Sequence, residues 1–121
     1  MKTYEKIIAW QLAHRLVLEV YRLTATFPSI EQFGLTSQLR RAAVSIAANI
    51  VEGRARNTSK DFLNFLHIAR ASLEECEYHL LLAKDLAYIS IADYDAIDSH
   101  CNELSATLNG LIRGIKLKTR L

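Results

Sequence analysis

Residues 38–53, QLRRAAVSIAANIVEG, carry the pattern that decides the fold. At about 100° per residue, Gln38, Arg41, Ser45, Asn49 and Glu52 fall on one strip covering about a quarter of a helix. Leu39, Ala42, Ala43, Val44, Ile46, Ala47, Ala48, Ile50 and Val51 cover the other sides, and a helix that is apolar nearly all round is buried. Two arrangements bury it: a core helix with a satisfied polar strip, or a helix held between its own bundle and a second subunit. Arg40 points away from the strip. It needs a carboxylate or several carbonyls, because stranding a buried charge costs about 3–5 kcal/mol. Ala42, Ala43, Ser45, Ala47 and Ala48 let a neighbouring helix approach closely, leaving Asn49 to hydrogen-bond across the gap.

Working outward, Gly53 reads as the C-cap of a helix over about 35–53. Upstream, Ala9, Ala13, Leu16, Val20, Leu23 and Phe27 recur at steps of three and four in a first helix of about 3–26. Phe27-Pro28 ends it, because the residue before proline is pushed out of helical space. Ser29 with Gln32 reads as a capping box, and Gly34 permits a sharp bend into the second helix. Downstream, Thr58 with Asp61 opens a third helix of about 58–88, whose seam is Phe62, Leu66, Ala69, Leu73, Cys76, Leu80, Ala83 and Ala87. Ser90 with Asp93 opens a fourth of about 91–118, with Ile97, Cys101, Leu104, Leu108, Leu111 and Ile115. Such seams belong to a left-handed bundle. Short connections make neighbours antiparallel, so the expected fold is all-α: an up-down-up-down four-helix bundle, one domain over 1–121. Leu63, Phe65, Leu82 and Leu86 add apolar surface outside the third helix's seam, which favours self-association.

Composition agrees. In 121 residues, 50% are hydrophobic while only four are Gly and one is Pro, too little punctuation for a many-stranded β fold. No apolar run approaches the roughly 18 residues of a membrane span. The opening MKTYEKIIAWQLAHR lacks the features of a secretory signal, so a cytoplasmic location and no membrane partner are expected. Cys76 and Cys101 read as isolated apolar-face residues, neither a disulfide framework nor a metal knuckle.

The topology turns a net charge of +2 into a polarised object. The start of the first helix, the second connection and the end of the fourth share one end. There Lys2, Lys6, Arg54, Arg56, Lys60, Arg113, Lys116, Lys118 and Arg120 face only Glu5, Glu52 and Asp61. The opposite end sets Arg22, Arg40, Arg41 and Lys84 against ten carboxylates from Glu19, Glu31, Glu74, Glu75, Glu77, Asp85, Asp93, Asp95, Asp98 and Glu103. Such a basic end serves either solubility or phosphate binding, and a ring of subunits would multiply it.

Catalytic constellations are missing from the sequence. A di-metal bundle needs Glu-x-x-His on two helices, yet Gln11, Asn64, Cys76 and Ile97 stand three residues before the histidines. Cys76-x-x-His79 has no second pair to complete a zinc site. No phosphate-cradling glycine loop or nucleophile elbow occurs. Glu75 and His79, one turn apart, have the spacing of a common surface pair. No enzymatic activity, metal or cofactor is expected.

Across nearly the whole chain, ordered polar matches resemble the four-helix-bundle proteins encoded in intervening sequences of bacterial large-subunit ribosomal RNA genes. They are Phe27-Pro28, Glu31, Gly34-Leu35, Gln38, Arg40-Arg41-Ala42, Ser45, Asn49, Glu52-Gly53, Ala69-Arg70, Ser72 and Glu75. Val51 replaces the usual alanine before Glu-Gly, and Ala71 the frequent glycine between the Arg and the Ser. The resemblance implies a cytoplasmic homopentamer without established enzymatic activity. A branch similar in fold looks like the accessory protein of diversity-generating retroelements, a basic pentameric barrel that binds nucleic acid and partners a reverse transcriptase; function drawn from it is analogy.

Two roles follow for the polar residues. Gln38, Arg40, Arg41, Ser45, Asn49, Glu52, Arg70, Ser72 and Glu75 form a structural network or oligomer interface, with Arg40 and Arg41 pairing to Glu75, Glu52 or a neighbouring subunit. Arg54, Arg56, Lys60, Arg113, Lys116, Lys118 and Arg120 would contact the phosphates of RNA or DNA. The competing function is a protein-interaction scaffold that touches no nucleic acid. Base-specific readout is not expected, because no recognition-helix motif is visible and no aromatics interleave the basic residues.

Overall fold

The structure, a computed structural model, describes residues 1–119. Four helices follow one another: α1 Ile8–Thr24, α2 Leu35–Arg54, α3 Ser59–Asp85 and α4 Ile91–Thr119. Short 3-10 turns at Thr3–Lys6 and Ser29–Glu31 precede α1 and α2. Cross-links between neighbours run in opposite senses. Ser45 meets Ser72 and Gly53 meets Phe62 and Phe65 between α2 and α3, while Arg70 meets Asn109 and Lys84 meets Tyr94 between α3 and α4. α4 closes the bundle against α1, and the backbones of the diagonal helices do not approach each other closely. This is the antiparallel up-down-up-down arrangement.

The core is the set of seams read from the sequence. Ala9, Ala13, Leu16, Val20, Leu23 and Phe27 of α1 and its exit are all buried, as are Leu66, Ala69, Leu73, Cys76, Leu80 and Ala83 of α3. Each large aliphatic side chain buried this way contributes about 1.5–3 kcal/mol. In α4 the buried line is Ile97, Cys101, Leu104, Leu108 and Ile112, with Leu111 and Ile115 half-buried beside it. A straight helix drifts off a strict 3.5-residue repeat, and Ile112 takes the extra step. The thiols of Cys76 and Cys101 are free. Burial first, then nearby acidic groups, pushes Cys101 up to about 12 and also raises Cys76, so neither thiol is a nucleophile near neutral pH.

Four local expectations are corrected. The first helix does not start at Thr3. Ile7 is extended, and Gln11 Nε2 donates to the Glu5 carbonyl at 2.8 Å, holding residues 3–6 as a separate turn. No Ser29–Gln32 capping box forms. Glu31 caps α2 instead, its Oε1 accepting from the Leu35 N–H at 3.2 Å while Oε2 accepts from the Tyr88 hydroxyl at 2.8 Å. A carboxylate is favourable at that positive helix end.

Gly53 is not a C-cap; α2 continues to Arg54, and Gly53 is buried where a Cβ would lie 2.8 Å from Phe65 Cβ and 2.9 Å from Phe62 Cδ1. Its role is close approach of α2 and α3. Finally, Ala87 is exposed and outside the seam. α3 ends at Asp85 in a left-handed turn with Ala87 at φ 61°, where Tyr88 N–H bonds the Ala83 carbonyl and Ala87 N–H the Lys84 carbonyl, a Schellman closure. The caps at Thr58 and Ser90 form as expected, accepting from Asp61 N–H at 3.1 Å and Asp93 N–H at 3.0 Å.

Candidate nucleic-acid interface

The basic residues converge by topology. Arg54 closes α2, Arg56 lies in the following connection, Lys60 sits in the first turn of α3, and Arg113, Lys116 and Lys118 occupy the last turns of α4. All six are exposed. Arg120 lies outside the described residues. Lys2 and Lys6 join from the amino-terminal turn. Among the described residues, none of these cations forms an ion pair; the pairs present are Arg15–Glu103, Arg22–Glu19, His79–Glu75 and Lys84–Asp85. Unpaired cations at one end raise a field that attracts anions.

His67 lies near one of these cations, Lys116. Burial first, then Arg70 and Lys116, holds its imidazole below the usual histidine range. Arg70 Nη2 stands 3.1 Å from His67 Nδ1, and a guanidinium can only donate, so the ring accepts there and stays neutral. At the far end Glu77 is shifted oppositely in charge. Burial first, then the neighbouring carboxylates of Asp98 and Glu74, raises its carboxyl.

The polar network separates into distinct sets. Ser45 Oγ and Ser72 Oγ lie 2.9 Å apart across α2 and α3, and Asn49 Nδ2 donates to the Ser45 carbonyl and hydroxyl at 2.8 and 3.0 Å. Arg70 Nη1 reaches Asn109 Oδ1 on α4 at 3.2 Å. Arg40 turns to α1, where its Nε donates to Thr24 Oγ1 at 2.8 Å and its guanidinium lies 4.4 Å from the centre of the Tyr21 ring. The expected pairing of Arg40 and Arg41 with Glu75 or Glu52 within the chain is therefore absent. Glu75 binds His79 instead, at 3.1 Å. Glu52 is eleven residues from Arg41 on one helix, about 16 Å along the axis and out of reach. Gln38, Arg41 and Glu52 are exposed and make no side-chain hydrogen bond among the described residues. Arg40, Arg41 and Ser45 line an open groove of about 720 Å³ with Tyr21, Phe33 and Val44.

The expectation that no aromatics interleave the basic residues is corrected: Tyr4, between Lys2 and Lys6 in the sequence, and Phe65 stand at the basic end. Arg56 lies 4.6 Å from the centre of the Phe65 ring. Tyr4 stands beside Lys2, Arg54 and Arg56 along a second open groove of about 590 Å³. It meets Trp10 edge-on, and Trp10 stacks on His14 with centroids 5.0 Å apart. Cys76 and His79 do not form a ligand pair: the cysteine is in the core and the histidine bonds Glu75. No group of three or more His, Cys, Asp or Glu among the described residues is arranged to hold a metal ion. Nor is any described helix long and apolar enough to cross a membrane.

Comparison with known proteins matches this architecture. A crystal structure from Bacteroides thetaiotaomicron VPI-5482, of a protein with unknown function from the S23 ribosomal protein family, is similar with a TM-score of 0.81 and 26% identity, over 88% of this chain and 96% of that one. No curated protein sequence matches the chain. The 23S rRNA-intervening sequence protein profile matches residues 5–110, spanning all but the last turns of the bundle described above. The chain belongs to the 23S rRNA-intervening sequence protein family.

Proposed function

We propose that this protein is a non-catalytic, oligomeric nucleic-acid-binding bundle whose basic end contacts phosphates. The observation that carries the reading is the gathering of Lys2, Lys6, Arg54, Arg56, Lys60, Arg113, Lys116 and Lys118 at one end without an ion pair among the described residues. Accessible cations gathered at one end raise a field that attracts a polyanion and can neutralise its phosphates. Exposed apolar side chains support self-association: Phe33 is 90% and Ile30 87% exposed, with Val44, Ile68 and Tyr78 on the α2–α3 side. Surface of this kind is covered in a ring, here read as a homopentamer, in which Arg41 and Gln38 find partners on the adjacent subunit.

The test is binding of labelled structured RNA and duplex DNA by the purified protein. Charge reversal of Arg54, Arg56 and Lys60 to Glu is expected to weaken binding strongly while circular dichroism and assembly stay unchanged. Binding left undiminished by the reversal would refute the assignment of this end. A second reading is a protein-interaction scaffold, favoured by the open groove where Tyr21, Phe33 and Val44 lie beside Arg40 and Arg41. It predicts no affinity for either nucleic acid at low salt.

A further inference from the structure

We infer that the groove between the amino-terminal turn and the end of α2 is a site for unpaired nucleotides of single-stranded nucleic acid, with a base on Tyr4 and its flanking phosphates on Lys2, Arg54 and Arg56. The inference rests on the phosphate-binding reading of the basic end and adds the class of strand it takes. The groove, about 590 Å³, has the size of a small-ligand pocket.

Its construction begins at Ile7. Tyr4 and Trp10 are six residues apart, about 240° around a continuous helix, and would face different directions. The extended Ile7 breaks the helix. The Gln11 side chain then holds the Glu5 carbonyl at 2.8 Å, and backbone bonds Glu5 N–H to Lys2 O and Ile7 N–H to Tyr4 O, both 3.1 Å, close the turn. Tyr4 is thereby folded beside Arg54 and Arg56, roughly fifty residues away in sequence.

The ring is half-buried and supported at one place only by another aromatic, Trp10, whose plane is inclined at 74°. Tyr4 is not stacked face to face on Trp10, and it lines the open groove, where a base has a π face to offer it. Arg56 is steadied by the Phe65 ring 4.6 Å away, so one cation of the groove is positioned in advance. Aromatic platform and cations in one groove are the two elements of single-strand recognition. Bases within a duplex are already stacked on one another and cannot lie on Tyr4.

Trp10, the one tryptophan of the chain, reports on the site directly. The experiment titrates the full chain with a ten-nucleotide oligo-uridine, an oligo-thymidine of equal length and a DNA duplex, following Trp10 emission and the anisotropy of labelled strands. Both single strands are expected to quench Trp10. Tyr4→Ala is expected to weaken single-strand binding about 5- to 160-fold, the range for losing one stacked base, without changing duplex affinity, and Tyr4→Phe to bind within about two-fold of the parent. Single strands that bind without altering Trp10 emission would overturn the inference. So would a folded Tyr4→Ala protein of undiminished single-strand affinity, although salt-sensitive duplex binding would leave the phosphate-binding reading intact. Failure of every strand to bind would remove both.

Discussion

Arg40 donates from Nε to the buried hydroxyl of Thr24, 2.8 Å away, tying the first turns of α2 to the last residue of α1. The same hydroxyl donates to the Val20 carbonyl at 2.7 Å, so it is fully engaged. The cation also sits near the carbonyl end of α1, where positive charge is favoured. Thr24→Val keeps the shape and removes the acceptor. A stability loss of about 1–2 kcal/mol is expected in urea unfolding. Arg41, one residue on, has no such partner; Arg41→Ala is expected to leave secondary structure intact and to weaken assembly on dilution, checked by analytical ultracentrifugation. If assembly is unaffected, Arg41 is not at the interface.

Gly53 marks the closest approach of α2 and α3. A methyl group there would lie 2.8 Å from Phe65 Cβ, an atom fixed to the backbone that cannot swing aside. Alanine gains about 1 kcal/mol in helix propensity, but overpacking costs about 1–3 kcal/mol. Gly53→Ala is therefore expected to destabilise the bundle, lowering its melting temperature by calorimetry.

Ala87 carries the opposite prediction. Its φ of 61° places an L-residue where glycine is at ease. Left-handed backbone costs a non-glycine residue about 1–2 kcal/mol, against about 0.5–1 kcal/mol of extra chain entropy that glycine loses on folding. Ala87→Gly is expected to stabilise by about 0.5–1 kcal/mol, seen as a higher urea midpoint.

His67 sets a pH dependence. Folding lowers its pKa, through burial first and then Arg70 and Lys116. The unfolded chain thus binds the proton more tightly, and stability rises with pH where only the unfolded state is protonated. The contribution is present above the ordinary histidine value of about 6.5 and is lost as pH falls through the lower folded value. His67→Gln is expected to flatten this acidic limb in unfolding curves measured from pH 7.5 to 5.

The seams show why so much of the fold was legible. Ala9 through Phe27 and Leu66 through Ala83 repeat without interruption, and burying them admits one pattern of helix faces. Thr58 and Ser90 cap as their short-range pattern requires. What escaped depends on tertiary partners. Gly53 looks like a terminator until Phe62 and Phe65 arrive against it, and Glu31 outcompetes Ser29 because Tyr88 fixes its carboxylate from another loop. The basic end followed from topology alone. The position of Tyr4 beside Arg54 did not, because it turns on the break at Ile7.

The salt dependence of nucleic-acid binding tests the central claim most directly. A basic end that neutralises phosphates releases counterions, giving a log–log slope of about −0.9 per contact on duplex DNA and about −0.7 on single strands. The account predicts a steep slope for the parent protein, and a slope shallower by about two to three for a protein carrying Arg54→Glu, Arg56→Glu and Lys60→Glu. Affinity independent of salt, or a slope the three substitutions leave unchanged, would contradict it.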